Sequence, residues 1–315
     1  MRQHTIATPF LVGDVHYYTA EINGESILFD TGPSTPEALH HLRSEVNIKK
    51  LSYVFVTHCH ADHYGLVDHL SHHTVATILL PRRDVLKFTH HQRRMELMQQ
   101  LIREQGFDER HVTLFRQVIE NNMVTPKLPT RYEIAEESAI PASLGIEVIP
   151  CPGHSQSDLV YVCGDDVVSG DVLLRNVFQV PLLDADLETF AGRFDNYGAY
   201  CQTLLQLPRL SGKRIHPGHR GSIDGVEATI VWYVRKMLER ARRLRALSHT
   251  DGIDLMQIVH RLFGESFSDI FVVYLKVSEI MFLRDFLADP DLLRNSLARI
   301  GLLDEVRETF EALTG

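Results

Sequence analysis

Nowhere does this sequence carry an apolar run approaching the ~20 residues that a membrane-spanning helix requires. Its longest runs, such as 51–56 and 270–275, fall far short, so no bilayer-spanning segment is expected. The opening stretch MRQHTIATPF has neither the apolar core nor the small-residue cleavage site of a secretory signal, and a cytoplasmic location is the expectation. Cysteine is scarce: Cys59, Cys151, Cys163 and Cys201 show no zinc-ribbon pairing. A chain of 315 residues needs no disulfide to hold its core, which predicts free thiols. Positive charge is in the minority, with 32 Lys and Arg against 41 Asp and Glu and a net charge of -9. That balance opposes nonspecific attraction to phosphate backbones and argues against a nucleic-acid partner. Disorder and collagen-like structure are excluded by 44% hydrophobic and 23% charged residues, a composition that supplies a sizeable core. The length allows one large α/β sandwich, alone or with an appendage.

Short β-type runs at 6–12, 17–22 and 26–29 are separated by the turn-prone Gly13-Asp14 and Asn23-Gly24, which predicts an antiparallel meander. A helix is expected at 36–42, then a strand at 53–56 running into a histidine-rich turn. Another helix follows over 62–70 and a strand over 77–80. The stretch 83–122 predicts two helices split near Gly106. This insert is long for a βα connection, which favours a lid or substrate wall over plain scaffold. Strands are expected again at 146–149, 159–163 and 167–169, the last two joined across Gly164-Asp165. A helix over 187–207 and a strand at 213–215 complete the α/β part, 1–225. From Val226 onward the pattern is helical, giving an all-α extension over 226–315. Its cluster Arg240, Arg242, Arg243 and Arg245 is expected to form a solvated or partner-facing surface.

The chemistry is concentrated in Thr57-His58-Cys59-His60-Ala61-Asp62-His63-Tyr64-Gly65, directly after an apolar strand. Residues two apart in extended chain point the same way, so His58 and His60 converge on one ion while Cys59 points elsewhere. Asp62 and His63, at the turn into a helix, face a second ion. Imidazole nitrogen and carboxylate oxygen suit zinc, iron or manganese, and a site without thiolates does not select sharply among them. Three further segments, Pro152-Gly153-His154-Ser155, Ser169-Gly170-Asp171-Val172 and Pro217-Gly218-His219, each follow a β-type run.

Together with Phe29-Asp30-Thr31-Gly32, these segments make the chain resemble the metallo-β-lactamase superfamily. Its ordered motifs are Asp-Thr-Gly, His-x-His-x-Asp-His, Gly-His, a bridging Asp and a late Gly-His. The resemblance spans about residues 5–222 and implies an α/β fold, an αββα sandwich, here with the helical C-terminal extension. It implies that His58, His60 and His154 bind one metal and that Asp62, His63 and His219 bind the other, with Asp171 bridging. Asp30 becomes a carboxylate orienting the ligand turn from behind. His216 falls outside the motif and is expected to be structural, whereas the pairs His72-His73 and His90-His91 are expected at the surface, the latter within the insert.

Two divalent ions, zinc first and iron or manganese next, are the implied cofactors. Such a pair, about 3.5–4 Å apart, lowers the pKa of a shared water toward ~7 and supplies hydroxide without a serine or cysteine nucleophile. Asp62 is the expected catalytic residue, orienting that hydroxide or relaying its proton. The all-His/Asp ligand set, the opening Thr-Pro-Phe-Leu-Val-Gly-Asp-Val and the helical tail resemble the hydroxyacylglutathione hydrolase-like, glyoxalase II-like group. They predict a hydrolase of a small acyl substrate: a thioester, ester or lactone. Arg175, Asn176 and Phe178 are candidates for the pocket entrance, and the C-terminal helices for capping the site or pairing two copies. Two alternatives use the same residues: a phosphodiesterase or ribonuclease, and a mononuclear iron redox enzyme resembling persulfide dioxygenases.

Overall fold

The computed structural model describes residues 1–10, 12–120, 127–248, 255–264 and 269–314. At Asn23-Gly24 both residues adopt positive φ, 55° and 83°, the left-handed pair that a two-residue hairpin turn demands. This turn joins β2 (Asp14–Ile22) to β3 (Glu25–Phe29). The strand expected at 6–12 lies earlier, as β1 (Arg2–Ala7). Pro9 has no N–H for a ladder, and the Thr8 hydroxyl staples a turn by donating to the Gly13 carbonyl at 2.7 Å. Strands β4 (Leu51–Phe55), β5 (Thr77–Leu80) and β6 (Glu133–Ile134) then add in parallel to β3, giving a six-stranded sheet in the order β1-β2-β3-β4-β5-β6.

The second sheet, entered through the short helix α7 (Ile140–Leu144), has the order β10-β9-β8-β7, from β7 (Ile146–Pro150), β8 (Leu159–Cys163), β9 (Asp166–Gly170) and β10 (Arg214–Pro217). Between the sheets the rings of Phe29, Phe55 and Tyr161 pack with centroids 5.2–5.7 Å apart. Val54, Ile78 and Leu28 turn to the opposite face of the first sheet. There α1 (Pro36–Glu45) and α3 (Val67–His73) bury Leu42, Val67 and Leu70. The outer face of the second sheet, with Val160, Val162 and Val167, is covered by α8 (Asn196–Leu204), α9 (Val226–Ser248) and α11 (Ile270–Ala288). This is the αββα sandwich with a helical C-terminal region.

Helix boundaries depart from the sequence pattern where a close approach or a cap intervenes. The helix expected over 62–70 is two, α2 (Ala61–Tyr64) and α3, parted at Gly65. A Cβ on Gly65 would lie 2.2 Å from the Ser34 nitrogen, so the chain must cross there without a side chain. The insert holds three helices, α4 (Arg82–Thr89), α5 (His91–Glu104) and α6 (Glu109–Ile119), with a first break at His90 and a second at Gly106, φ 87°. Positions 121–122 of the expected insert lie outside the described residues. The helix expected over 187–207 is confined to α8, because Asp195 caps it by accepting the Gly198 N–H.

The C-terminal helices α9, α10 (Leu255–Phe263), α11, α12 (Pro290–Arg299) and α13 (Arg307–Thr314) belong to the same apolar cluster as the second sheet and the insert. The arginine cluster lies at the surface as expected, with Arg242, Arg243 and Arg245 exposed, while three of its members also find partners on neighbouring helices. Arg240 pairs with the fully buried Glu279 and stacks over Phe178, Arg243 donates to the Leu262 carbonyl, and Arg245 donates to that of Leu313. Burying helix ends against α9 leaves carbonyls that need donors, and these guanidiniums supply them. Among the described residues no helix is long and apolar enough to cross a membrane.

Candidate metal centre

Strands β3 and β4 run parallel, as do β9 and β10, so the loops carrying Asp30 and Thr57–His63, and those carrying Asp171 and His219, leave matching strand ends. Asp30 adopts a left-handed φ of 58°. This conformation turns its carboxylate back under the ligand turn, where it accepts the Thr57 N–H, the Thr57 hydroxyl and the His63 Nδ1–H, each at 2.8 Å. Asp30 thus touches the ligand turn at both Thr57 and His63.

Outer partners fix the imidazole tautomers. Nδ1 of His154 donates to the Val180 carbonyl at 2.8 Å, Nδ1 of His219 to that of Asp14 at 2.6 Å, and Nδ1 of His63 to Asp30. The Thr57 hydroxyl gives its proton to Asp30, so at 3.1 Å it accepts from His58 Nδ1. With Nδ1 donating outward, Nε2 of each of these four rings is the nitrogen left to face the site, and it carries a lone pair whenever the imidazole is neutral. These nitrogens converge: His63 Nε2 lies 3.4 Å from His219 Nε2, and His154 Nε2 lies 3.1 Å from His60 Nδ1. Among the described residues His58 Nε2 and Asp171 Oδ1 find no hydrogen-bond partner, although both are buried. Such an arrangement is costly unless a cation sits between the donors.

The candidate ligands fall into three overlapping groups, His58-His60-His154, His58-His63-Asp171 and Asp62-His63-His219, in each of which the ligand atoms lie within 4.8 Å of one another. Asp171 spans the halves, with Oδ1 at 3.4 Å from His63 and 3.6 Å from His219, and Oδ2 at 3.6 Å from His154. All seven residues singled out as ligands are therefore brought together. Burial pushes the His58 and His60 imidazoles well below their ordinary pKa, with neighbouring imidazoles adding to the effect. Burial acts the same way on His63 and His219, but Asp62 and Asp171 outweigh it and raise both. The Asp62-His63-His219 half thus attracts positive charge, and the whole donor set fits divalent cations.

Tight packing leaves no room at Gly218. A Cβ there would lie 2.6 Å from Asp171 Oδ1 and 2.6 Å from His63 Cε1. Gly218→Ala is expected to displace one of these ligands and to cost at least tenfold in metal affinity. Titration against a chelating dye checks this, and a parental affinity would contradict it.

Against this geometry, the family model described as the metallo-beta-lactamase superfamily matches residues 11–219. The chain belongs to the metallo-beta-lactamase superfamily. Members of this metallo-hydrolase superfamily bind metal ions, and membership supports an enzyme. The chain is 30% identical over 276 residues to the probable metallo-hydrolase YqjP of Bacillus subtilis (strain 168), covering 82% of this chain and 83% of that protein. It is 21% identical over 268 residues to a beta-lactamase-like protein 2 homolog of Caenorhabditis elegans, covering 82% and 74%. A metallo-beta-lactamase family protein from Thermus thermophilus shares the fold at a TM-score of 0.67 and 21% identity, over 92% of this chain and 93% of that one. A beta-lactamase domain protein from Burkholderia ambifaria does so at 0.72 and 18%, over 91% and 86%.

Other residues of interest fall elsewhere in the superfamily fold. His216 is 2.7 Å from Asp166 and edge-on to Tyr18, away from the ligands. Phe178 is no entrance residue; it is buried, stacked on Tyr233 at 4.5 Å. Arg175 and Asn176 border an open cavity of about 530 Å³ together with Trp232 and Arg235. Sequence reasoning missed Asp158, which is buried and accepts the Ser155 N–H and hydroxyl at 2.7 and 2.8 Å, pinning the loop after His154. A carboxylate four residues beyond the Gly-His motif was its only signal.

Proposed function

We propose that this chain is a dinuclear metal-dependent hydrolase of small acyl substrates, thioesters first among them, with zinc as the resident ion. The observation that carries the reading is the position of Asp171, whose two oxygens face opposite halves of a convergent, lone-pair-bearing histidine set. When bound, two divalent ions supply Lewis acidity and a hydroxide generated from water near neutral pH. His58, His60 and His154 would hold one ion and Asp62, His63 and His219 the other. Asp62, with Oδ2 at 3.2 Å from His219 Nε2, is placed to orient the nucleophile and to take its proton at the free carboxylate oxygen. Cys59 serves neither as ligand nor as nucleophile: it is 2% exposed, and burial raises its thiol pKa far above the ordinary value.

Substrate would approach from the side of His60 and His154, which are half-buried, whereas His58, His63 and Asp171 are buried. The insert meets the loop at 186–190, where Arg93 stacks over Phe190 and Arg83 reaches Glu188 at 3.1 Å. The net charge of -9 disfavours a phosphodiester substrate. Initial rates on short acyl-thioesters and on an activated phosphodiester, measured in parallel with metal content, test the proposal. Two ions per chain and a rate dominated by thioesters are expected. Phosphodiester dominance, or one iron with oxygen consumption, would overturn it.

A further inference from the structure

We propose that Asp84 and Lys87, on the first helix of the insert, are positioning residues that set the His58-His60-His154 half of the metal centre. The inference rests on the dinuclear reading above. Its basis is a grip on a single residue. The Cys59 N–H donates to Asp84 Oδ2 at 2.6 Å, the Cys59 carbonyl accepts from Lys87 Nζ at 2.9 Å, and the two side chains close the ring at 3.5 Å. Cys59 lies between two ligands in extended chain, where neighbours point to the side opposite its own. Holding its amide and carbonyl therefore fixes the direction in which both His58 and His60 project, while its thiol stays in the core.

Opposite charges suit this task. A peptide N–H and C=O here have no strand partner, and charge-assisted bonds are shorter and more directional than neutral ones. Spacing of three residues puts Asp84 and Lys87 on one face of α4. Asp84 is 4% exposed, so water does not compete for its oxygens. The same helix also holds the other loop of this half, because Arg83 Nη1 donates to the Gln156 carbonyl at 3.3 Å, two residues beyond His154. Among the described residues, none of the polar contacts of α4 reaches Asp62, His63 or His219. The insert is thus coupled to one ion and not to the other.

Zinc titration of the full chain against a competing chelator, with the absorption spectrum of the cobalt-substituted protein, tests this asymmetry. In the double variant Asp84→Ala/Lys87→Met, which leaves no unpaired buried charge, affinity for one of the two ions is expected to fall by about 10–100-fold. The other ion is expected to stay within about threefold, and the cobalt spectrum to change. Asp84→Asn, which still offers an oxygen to the Cys59 N–H, is expected to bind both ions within about threefold of the parent. Lys87→Met alone gives the same readout should the double variant not melt cooperatively. Unchanged affinity for both ions, or equal loss of both, would overturn the proposal. A parent chain that binds only one ion would refute the dinuclear reading instead. The positioning role would then stand or fall on whether that ion weakens in the variants.

Discussion

Asp62→Ala is expected to lower kcat/KM for the hydrolysed thioester by about 10³-fold, the middle of the range for loss of a positioned acid-base group. The residue is 7% exposed, and its close polar partners are site histidines: Oδ2 lies 3.2 Å from His219 and 3.8 Å from His63. Burial disfavours its charge, yet His63 and His219 outweigh that and hold its pKa below the ordinary carboxylate value, so it is ionised at neutral pH. An ionised carboxylate can accept a proton, and alanine cannot. Because these partners belong to the metal centre and not to the packed core, circular dichroism and the melting transition are expected to survive. Parental kcat/KM in the variant would refute the proposed role.

Deleting residues 226–315 is expected to abolish cooperative folding. Val234, Met237, Leu238, Leu244, Val277, Ile280, Leu283 and Phe286 are all at most 1% exposed and share a cluster with Val160 and Val167 of the second sheet. At roughly 1.5–3 kcal/mol for each buried side chain, their loss together matches or exceeds the ~5–15 kcal/mol stability of a typical domain. The loss also reaches the metal centre. Tyr233 donates to the Gln179 carbonyl at 3.0 Å, and Gln179 in turn donates to the carbonyl of Asp171 at 3.0 Å. From α11, Ser278 accepts the Leu183 N–H at 3.1 Å, steadying the loop whose Val180 orients His154. Thermal melting followed by circular dichroism checks the expectation. A truncated chain with a sharp transition and parental hydrolysis would contradict it.

The αββα class and the convergence of His58, His60, Asp62, His63, His154, Asp171 and His219 were legible because short-range rules suffice for them. Alternation in an extended segment aims residues two apart at one point, and apolar runs ending in turn residues mark the strand tips from which the ligands project. Helix limits were less legible. The break at Gly65 answers a backbone approach from Ser34, and α8 starts where Asp195 caps it, not where the apolar pattern begins. The arginines of α9 read as a solvated face, and Arg242, Arg243 and Arg245 are exposed, but periodicity could not show which groups Arg243 and Arg245 also bond. Their carbonyl acceptors lie 19 and 68 residues away.

The sequence by itself determined which residues can donate to a cation and that strand ends would present them. Tertiary structure alone decided which nitrogen of His58, His63, His154 and His219 is left free to do so, that Asp171 reaches both halves, and that the insert grips Cys59. The reason is physical: the acceptors behind His154 and His219 are the backbone carbonyls of Val180 and Asp14. Every residue carries such a carbonyl, so no side-chain pattern marks the ones that packing brings within hydrogen-bond reach.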